Sequence, residues 1–177
     1  MKQKQKQIKQ FIVMRGAPGS GKSTFAKKHF PNECIVCPDE LRILCYGIVQ
    51  DENGKEQISQ ANPKIIWDMT FDLLKESLTK NSITVLDATS TREKDLNKYY
   101  KLAKQYGALL VIIDFSSVAP EECKKRNERR LPEYKRVSGE VIDRMYMQLK
   151  HSIQGKTKNH IIDYKEYEFY KEGNKDE

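Results

Sequence analysis

The chain has 177 residues, 38% hydrophobic and 32% charged, and its 32 Lys plus Arg outnumber 25 Asp plus Glu to give a formal charge of +7. That length suits one domain whose core needs no covalent staples, and the excess of cations points to anionic partners. Four cysteines, at 34, 37, 45 and 123, do not make a secreted disulfide framework, no apolar leader opens the chain, and no run approaches the ~18 apolar residues of a membrane span; a reducing, cytoplasmic setting is expected.

Residues 1–10 alternate Lys and Gln and are expected to form a basic, flexible tail. The apolar run 11–14 predicts a strand, and 22–30 a helix that Pro31 stops. Residues 34–36 predict a second strand. Cys34 and Cys37 flank it in a C-x-x-C, but no second pair follows at zinc-ribbon spacing, so a metal or redox role is set aside. Pro38 suits a first helical position and opens a helix over 39–44. The polar stretch 50–62 reads as a loop or mobile insert. Over 64–80, Trp67, Phe71, Leu74 and Leu78 recur at helical steps and mark a buried face. Residues 83–86 predict a strand ending in Asp87. Ser90 with Glu93 then reads as a capping box for a helix ending near Gly107.

The most continuous apolar run, 109–115, suits a central strand covered on both faces. Pro120 starts another helix, and 124–136 carry seven basic residues against two acidic ones. Ser138 is placed to cap a helix through Val141, Ile142, Met145 and Leu149. Residues 160–162 predict a last strand; beyond Tyr164 the sequence has no clear period, and 173–177 are expected to fray. Strands alternating with helices predict an α/β fold of three layers, with a doubly wound, mostly parallel sheet. The domain is expected to span residues 11–163, with a helical lid at about 124–137 and a polar extension over 164–177.

Gly16-Ala17-Pro18-Gly19-Ser20-Gly21-Lys22-Ser23 matches the Walker A pattern and lies between a predicted strand and a predicted helix. Gly16, Gly19, Ser20 and Gly21 let backbone N–H groups approach phosphate, the helix start favours anions, and Lys22 reaches the β and γ oxygens of ATP. Ser23 would ligate Mg²⁺, and Thr24 would support the loop. The motif specifies a nucleotide, not a reaction.

Asp39 and Arg42, three apart on one helical face, read either as an acceptor-hydroxyl base beside a phosphate-binding arginine or as a surface ion pair in an acidic first turn. Asp87, ending its apolar run, reads as the Walker B carboxylate near Mg²⁺, with Asp114 its rival. Thr89, Thr91 and Arg92 could line an acceptor groove. Arg126 and Arg130, four apart, suit a lid that neutralises charge during transfer, against the alternative of a solvated basic helix.

Together with Asp87-Ala88-Thr89, Arg126-Asn127-Glu128-Arg129-Arg130 and Val141-Ile142-Asp143-Arg144-Met145-Tyr146, these motifs resemble the kinase domain of phage-type polynucleotide 5′-kinases over most of residues 11–150. The resemblance implies transfer of the ATP γ-phosphate to a 5′-hydroxyl end of DNA or RNA. It implies Asp39 as general base, Arg42 on an acceptor phosphate, Asp87 near acceptor and metal, and Arg126 and Arg130 as lid arginines, with Arg130 nearest the transferred phosphate. Pro38 stands where the phage enzyme has a basic residue, and no aspartate-rich phosphatase motif follows, so a kinase without an end-healing partner domain is expected. The alternatives are a P-loop kinase of a small molecule or nucleotide, and an ATP-dependent binding module that acts by changing shape.

Overall fold

The computed structural model describes residues 8–152, 157 and 160–173; of the expected basic tail 1–10, residues 1–7, and of the expected frayed end 173–177, residues 174–177, lie outside the described residues, while Gly173 ends a helix. Strand β1 (Gln10–Arg15) is the first apolar run extended by one residue at each end. Helix α1 (Lys22–His29) follows the glycine-rich turn. Strand β2 (Ile35–Val36) leads into α2 (Pro38–Tyr46), with Pro38 in the first turn. A hairpin of β3 (Ile48–Gln50) and β4 (Glu56–Ile58) precedes α3 (Pro63–Lys80). Then come β5 (Ile83–Leu86), α4 (Glu93–Gln105), β6 (Leu109–Asp114) and α5 (Pro120–Glu128). The chain closes with α6 (Gly139–His151), β7 (Ile161–Asp163) and α7 (Tyr167–Gly173).

The main sheet runs β2-β5-β1-β6-β7, and every neighbouring pair in it is parallel. Alternation along β1 and β6 divides the core. Phe11, Val13, Leu110 and Ile112 pack under Leu74 and Leu78 of α3 and Leu96 and Tyr99 of α4. Ile12, Met14, Val111 and Ile113 face the other way, against Ala26, Ile142, Leu149 and Tyr167 from α1, α6 and α7. A strand covered on both faces needs apolar residues at every position, which is why β1 and β6 read as unbroken runs. Because all five strands are parallel, the turns after β1, β2 and β5 emerge from one edge of the sheet. The chain order reverses beside β1, where such sheets hold ligands.

Four expectations change. The stretch 50–62 is not simply a loop: Gln50 pairs with Glu56 in the β3–β4 hairpin, and Asp51 Oδ1 accepts from the backbone N–H groups of Asn53 and Lys55 at 2.9 Å each. Its β4 strand also lies against the short turn Glu133–Lys135. The buried face of α3 is Ile66, Thr70, Leu74 and Leu78, with Trp67 and Phe71 only half-buried at its border. Ser90 does not cap α4; it is buried at φ 47 in the preceding loop, and Arg92 occupies the cap position. The aperiodic tail forms α7, whose Tyr167 is core, while Tyr164 stacks on Phe115 with ring centroids 4.6 Å apart. Ser138 does cap α6, its side chain accepting from the Val141 N–H.

Candidate active site

Residues 16–23 wrap from the end of β1 into the first turn of α1, whose leading N–H groups have no acceptor inside the helix. Backbone sterics fix this path. Gly19 sits at φ +81 with its Cα so close to α5 that a Cβ would stand 2.2 Å from the Cys123 carbonyl oxygen, and Gly21 sits at φ +103. Only glycine adopts such conformations without strain. The Gly16 N–H donates to the Thr89 carbonyl at 2.9 Å, so the β5–α4 loop straps the turn down. That contact is made by the Thr89 backbone. Thr91 donates to Gln148 of α6 at 2.8 Å, and Arg92 pairs through its Nε with Asp95, its side chain half exposed.

Lys22 is buried, and its Nζ donates to the Ala17 carbonyl at 2.7 Å and to Ser20 Oγ at 3.3 Å. Burial pulls the ammonium from its usual 10.5 down to about 8; Asp87 opposes this, Arg130 adds to it, and Asp39 opposes it more weakly. Those influences place four predicted site residues within electrostatic reach of one another. Ser23 and Thr24 lie on the same first turn of α1.

Asp87 follows β5 and is buried; its backbone N–H donates to Val36 of β2, which brings it beside the start of α2. Its rival is committed elsewhere. Asp114 accepts from Arg15 Nη1 at 2.5 Å and from Ser116 Oγ at 2.6 Å, and Arg15 Nη2 also donates to the Leu149 carbonyl and to Ser152 Oγ of the α6 end. Arg15, held by Asp114, therefore ties the two central strands to the end of α6. The sequence reading did not single out Arg15, although an arginine closing an apolar strand is a buried cation in need of a carboxylate.

Asp39 opens α2 with 59% of its side chain reachable by water, yet its pKa is raised because the cleft walls around the carboxylate thin its hydration. Arg42, then Arg130, offset that rise, Asp87 adds to it, and Lys135 also offsets it. The Arg42 Nε lies 3.9 Å from Asp39 Oδ1, too far for a hydrogen bond, and the buried Arg42 Nη1 has no partner among the described residues. A guanidinium so placed has donors to spare. Cys37, just before α2, has its thiol pushed up to about 12, chiefly by burial and then by Asp87, so it stays protonated at neutral pH.

The α5 end covers this cleft. Arg126 Nη1 lies 3.4 Å from the Ser20 carbonyl, while its Nε donates to Glu122 at 2.7 Å. Arg130 Nη1 donates to the Lys135 carbonyl, and Arg136 Nε to the Arg130 carbonyl, which folds 130–136 into a compact loop facing the glycine turn. A cavity of about 270 Å³ opens between Asp87, Glu40, Lys27, Asn32 and Ile35. The glycine turn, the open helix start and a buried cation suit a triphosphate, and Ser23 with Asp87 supplies oxygen ligands suited to Mg²⁺. No cluster of three or more His, Cys, Asp or Glu able to hold a metal alone occurs among the described residues. In the same residues, no helix is long and apolar enough to cross a membrane.

The fold is shared with solved structures. A chain of the Pnkp1/Rnl/Hen1 RNA repair complex superposes with a TM-score of 0.65 at 22% identity, over 86% of this chain and 47% of that one. The AvrRxo1-ORF1:-ORF2 complex with ATP gives 0.60 at 21% identity, over 81% and 48%. A gluconokinase from Sinorhizobium meliloti 1021 gives 0.50 at 15%, over 89% and 83%. The chain thus spans about half the length of the first two. No curated protein matches by sequence. Residues 11–151 match the AAA domain family AAA_33, so the chain belongs to that family.

Proposed function

We propose that the protein transfers the γ-phosphate of ATP to the 5′-hydroxyl end of DNA or RNA. The observation that carries this reading is the meeting of Asp39 and Arg130 with Lys22 and Asp87 in one cleft, beside a buried Arg42 whose Nη1 has no partner. A binding module needs no acceptor carboxylate there. Arg42 suits an acceptor that carries its own phosphate, as a polynucleotide end does. The net charge of +7 and the basic segment 124–136 favour a polyanion, and one relative in fold comes from an RNA repair complex.

In this mechanism the turn is tied down through the Gly16 N–H on Thr89 and the Ser20 N–H on Ala17, Gly19 and Gly21 offer their backbone N–H groups to the β-phosphate, and Lys22 neutralises the β and γ oxygens. Ser23 and Asp87 would hold Mg²⁺, which would offset the charge of the phosphates. Asp39 orients the 5′-hydroxyl and takes its proton; the raised pKa makes it a better base than an ordinary aspartate. The new bond forms between the 5′ oxygen and the γ phosphorus as the bond to the bridging β–γ oxygen breaks, releasing ADP. Arg126 and Arg130 stabilise the charge that spreads over the transferring group.

A single assay tests the acceptor. With [γ-³²P]ATP, the expected result is labelling of 5′-hydroxyl DNA or RNA oligonucleotides with a KM that rises steeply with salt, as backbone contacts require. Labelling of gluconate or another small alcohol, with none of oligonucleotides, would replace the polynucleotide by a small-molecule acceptor. ATP binding without transfer to any acceptor would favour the shape-changing module instead.

A further inference from the structure

Beside the loop 130–136 lies a second cavity of about 330 Å³, which the proposed mechanism does not use. Its walls come from two separate parts of the chain. Lys55 reaches it from the turn of the β3–β4 hairpin, and Lys124, Asn127, Glu128, Arg136 and Gly139 enclose it from α5, the loop and the start of α6. Lys55, Lys124 and Arg136 bring three cations to its lining against Glu128, while Asp143 and Glu133 pair with Lys124 and Arg136 from beside it.

The details favour a phosphoryl group over a random patch. Gly139 is the first residue of α6, a helix of 13 residues; its Ser138 cap serves the Val141 N–H, which leaves the Gly139 and Glu140 N–H groups at the positive end of the dipole. A Cβ on Gly139 would meet only the Lys124 side chain, at 3.7 Å, so an anion can approach that backbone closely. The hollow is also preorganised. The Asn127 carboxamide holds the Val137 backbone from both sides, Nδ2 donating to its carbonyl at 2.8 Å and Oδ1 accepting from its N–H at 3.1 Å. Arg136 uses its Nε on the Arg130 carbonyl and its Nη1 near Glu133 at 3.1 Å, two of five donors. Lys124 pairs with Asp143, an exposed contact of little worth that an incoming anion can outbid.

We propose that this hollow is a second phosphate site, and that its occupant is a backbone phosphate of the acceptor strand downstream of the 5′ end. The occupant follows from continuity: Lys135 lies near enough to act on Asp39, and its chain neighbour Arg136 lines the hollow together with Lys55, so the loop 130–136 joins the hollow to the acceptor carboxylate. The β4 strand lies against the turn Glu133–Lys135, so a phosphate between Lys55 and Arg136 would hold the hairpin against the loop that carries Arg130. This assignment of the occupant rests on the polynucleotide reading above, whereas the phosphate chemistry of the hollow does not.

The test is an amide chemical-shift titration of the full chain with its glycine turn saturated by a non-hydrolysable ATP analogue. The expected result is that inorganic phosphate and a 5′-hydroxyl oligonucleotide both move the Asn127, Val137 and Gly139 amides, and that Lys55→Ala with Lys124→Ala abolishes both responses. In the transfer assay, Lys55→Ala should raise KM for oligonucleotides at unchanged kcat, lower the salt slope by about 1, and leave KM for a 5′-hydroxyl nucleoside 3′-phosphate unchanged. Shifts with phosphate but not with the oligonucleotide would overturn the strand as occupant. An oligonucleotide effect at these amides in a protein that phosphorylates no polynucleotide would refute the 5′-kinase reading and keep the site. No shift at these amides with either probe would overturn the site itself.

Discussion

The two walls of the cleft are built differently. On the donor wall, Gly19 is pressed against the Cys123 carbonyl, the Gly16 N–H is bound to Thr89, Lys22 is buried, and Arg15 pins the preceding strand to Asp114 and α6. On the acceptor wall, Asp39 is open to water, its contact with Arg42 is loose at 3.9 Å, and the arginine loop is held mainly by its own carbonyls. A triphosphate is the same in every turnover, so its site can be rigid. The acceptor has to enter, align and leave, and its wall keeps cations with unused donors. Rigidity marks where the ligand is fixed; spare hydrogen-bonding capacity marks where it is chosen.

This contrast can be attacked at either wall. The largest effect is expected for Lys22→Ala, which removes the fixed cation from the β and γ oxygens and should bring transfer to background while the melting temperature holds. Arg130→Ala should lower kcat by ~10³–10⁵ with little change in ATP affinity, because its charge matters most in the transition state; a kcat equal to wild type would remove the loop 130–136 from the reaction. Arg15→Met leaves the buried Asp114 without its cation, held only by Ser116, and should cost about 3–5 kcal/mol in urea unfolding, whereas Arg15→Met with Asp114→Leu should recover much of that loss. If the single and double changes cost the same, the pair is not what secures the donor wall.

The smallest effect concerns pH. Lys22 titrates at about 8 in the free protein, and a bound triphosphate favours its charged form, so the bound pKa is higher. ATP affinity should be flat below pH 8 and fall as pH rises through it, by up to about tenfold per unit, with proton uptake in calorimetry. Lys22→Met should show neither. The free Asp39 carboxylate is displaced the other way from its usual value, so kcat/KM should fall on acidification at a pH above that of an ordinary aspartate.

The donor wall was readable from sequence because its chemistry is local: eight consecutive residues specify the turn, and the glycines report backbone angles that no tertiary contact changes. Much of the acceptor wall was not. Strands β3 and β4 have three residues each, too short to carry a period, although Asn53-Gly54 between them is a turn signal. Ser90 looked like a helix cap because the spacing to Glu93 fits; burial and a positive φ put it in the loop instead. Arg15 meets its carboxylate 99 residues away, a pairing that no local pattern contains. Asp87 was ranked above Asp114 on where an apolar run ended, but the physical distinction is that Arg15 and Ser116 already engage Asp114.

The most direct measurement is single-turnover transfer from bound ATP to a 5′-hydroxyl oligonucleotide by Asp39→Asn, with ATP affinity determined on the same protein. If the carboxylate belongs to the acceptor wall of a shared cleft, affinity stays within about twofold of wild type while the transfer rate falls by ~10²–10⁴. Transfer at the wild-type rate, or affinity and rate collapsing together, would contradict it.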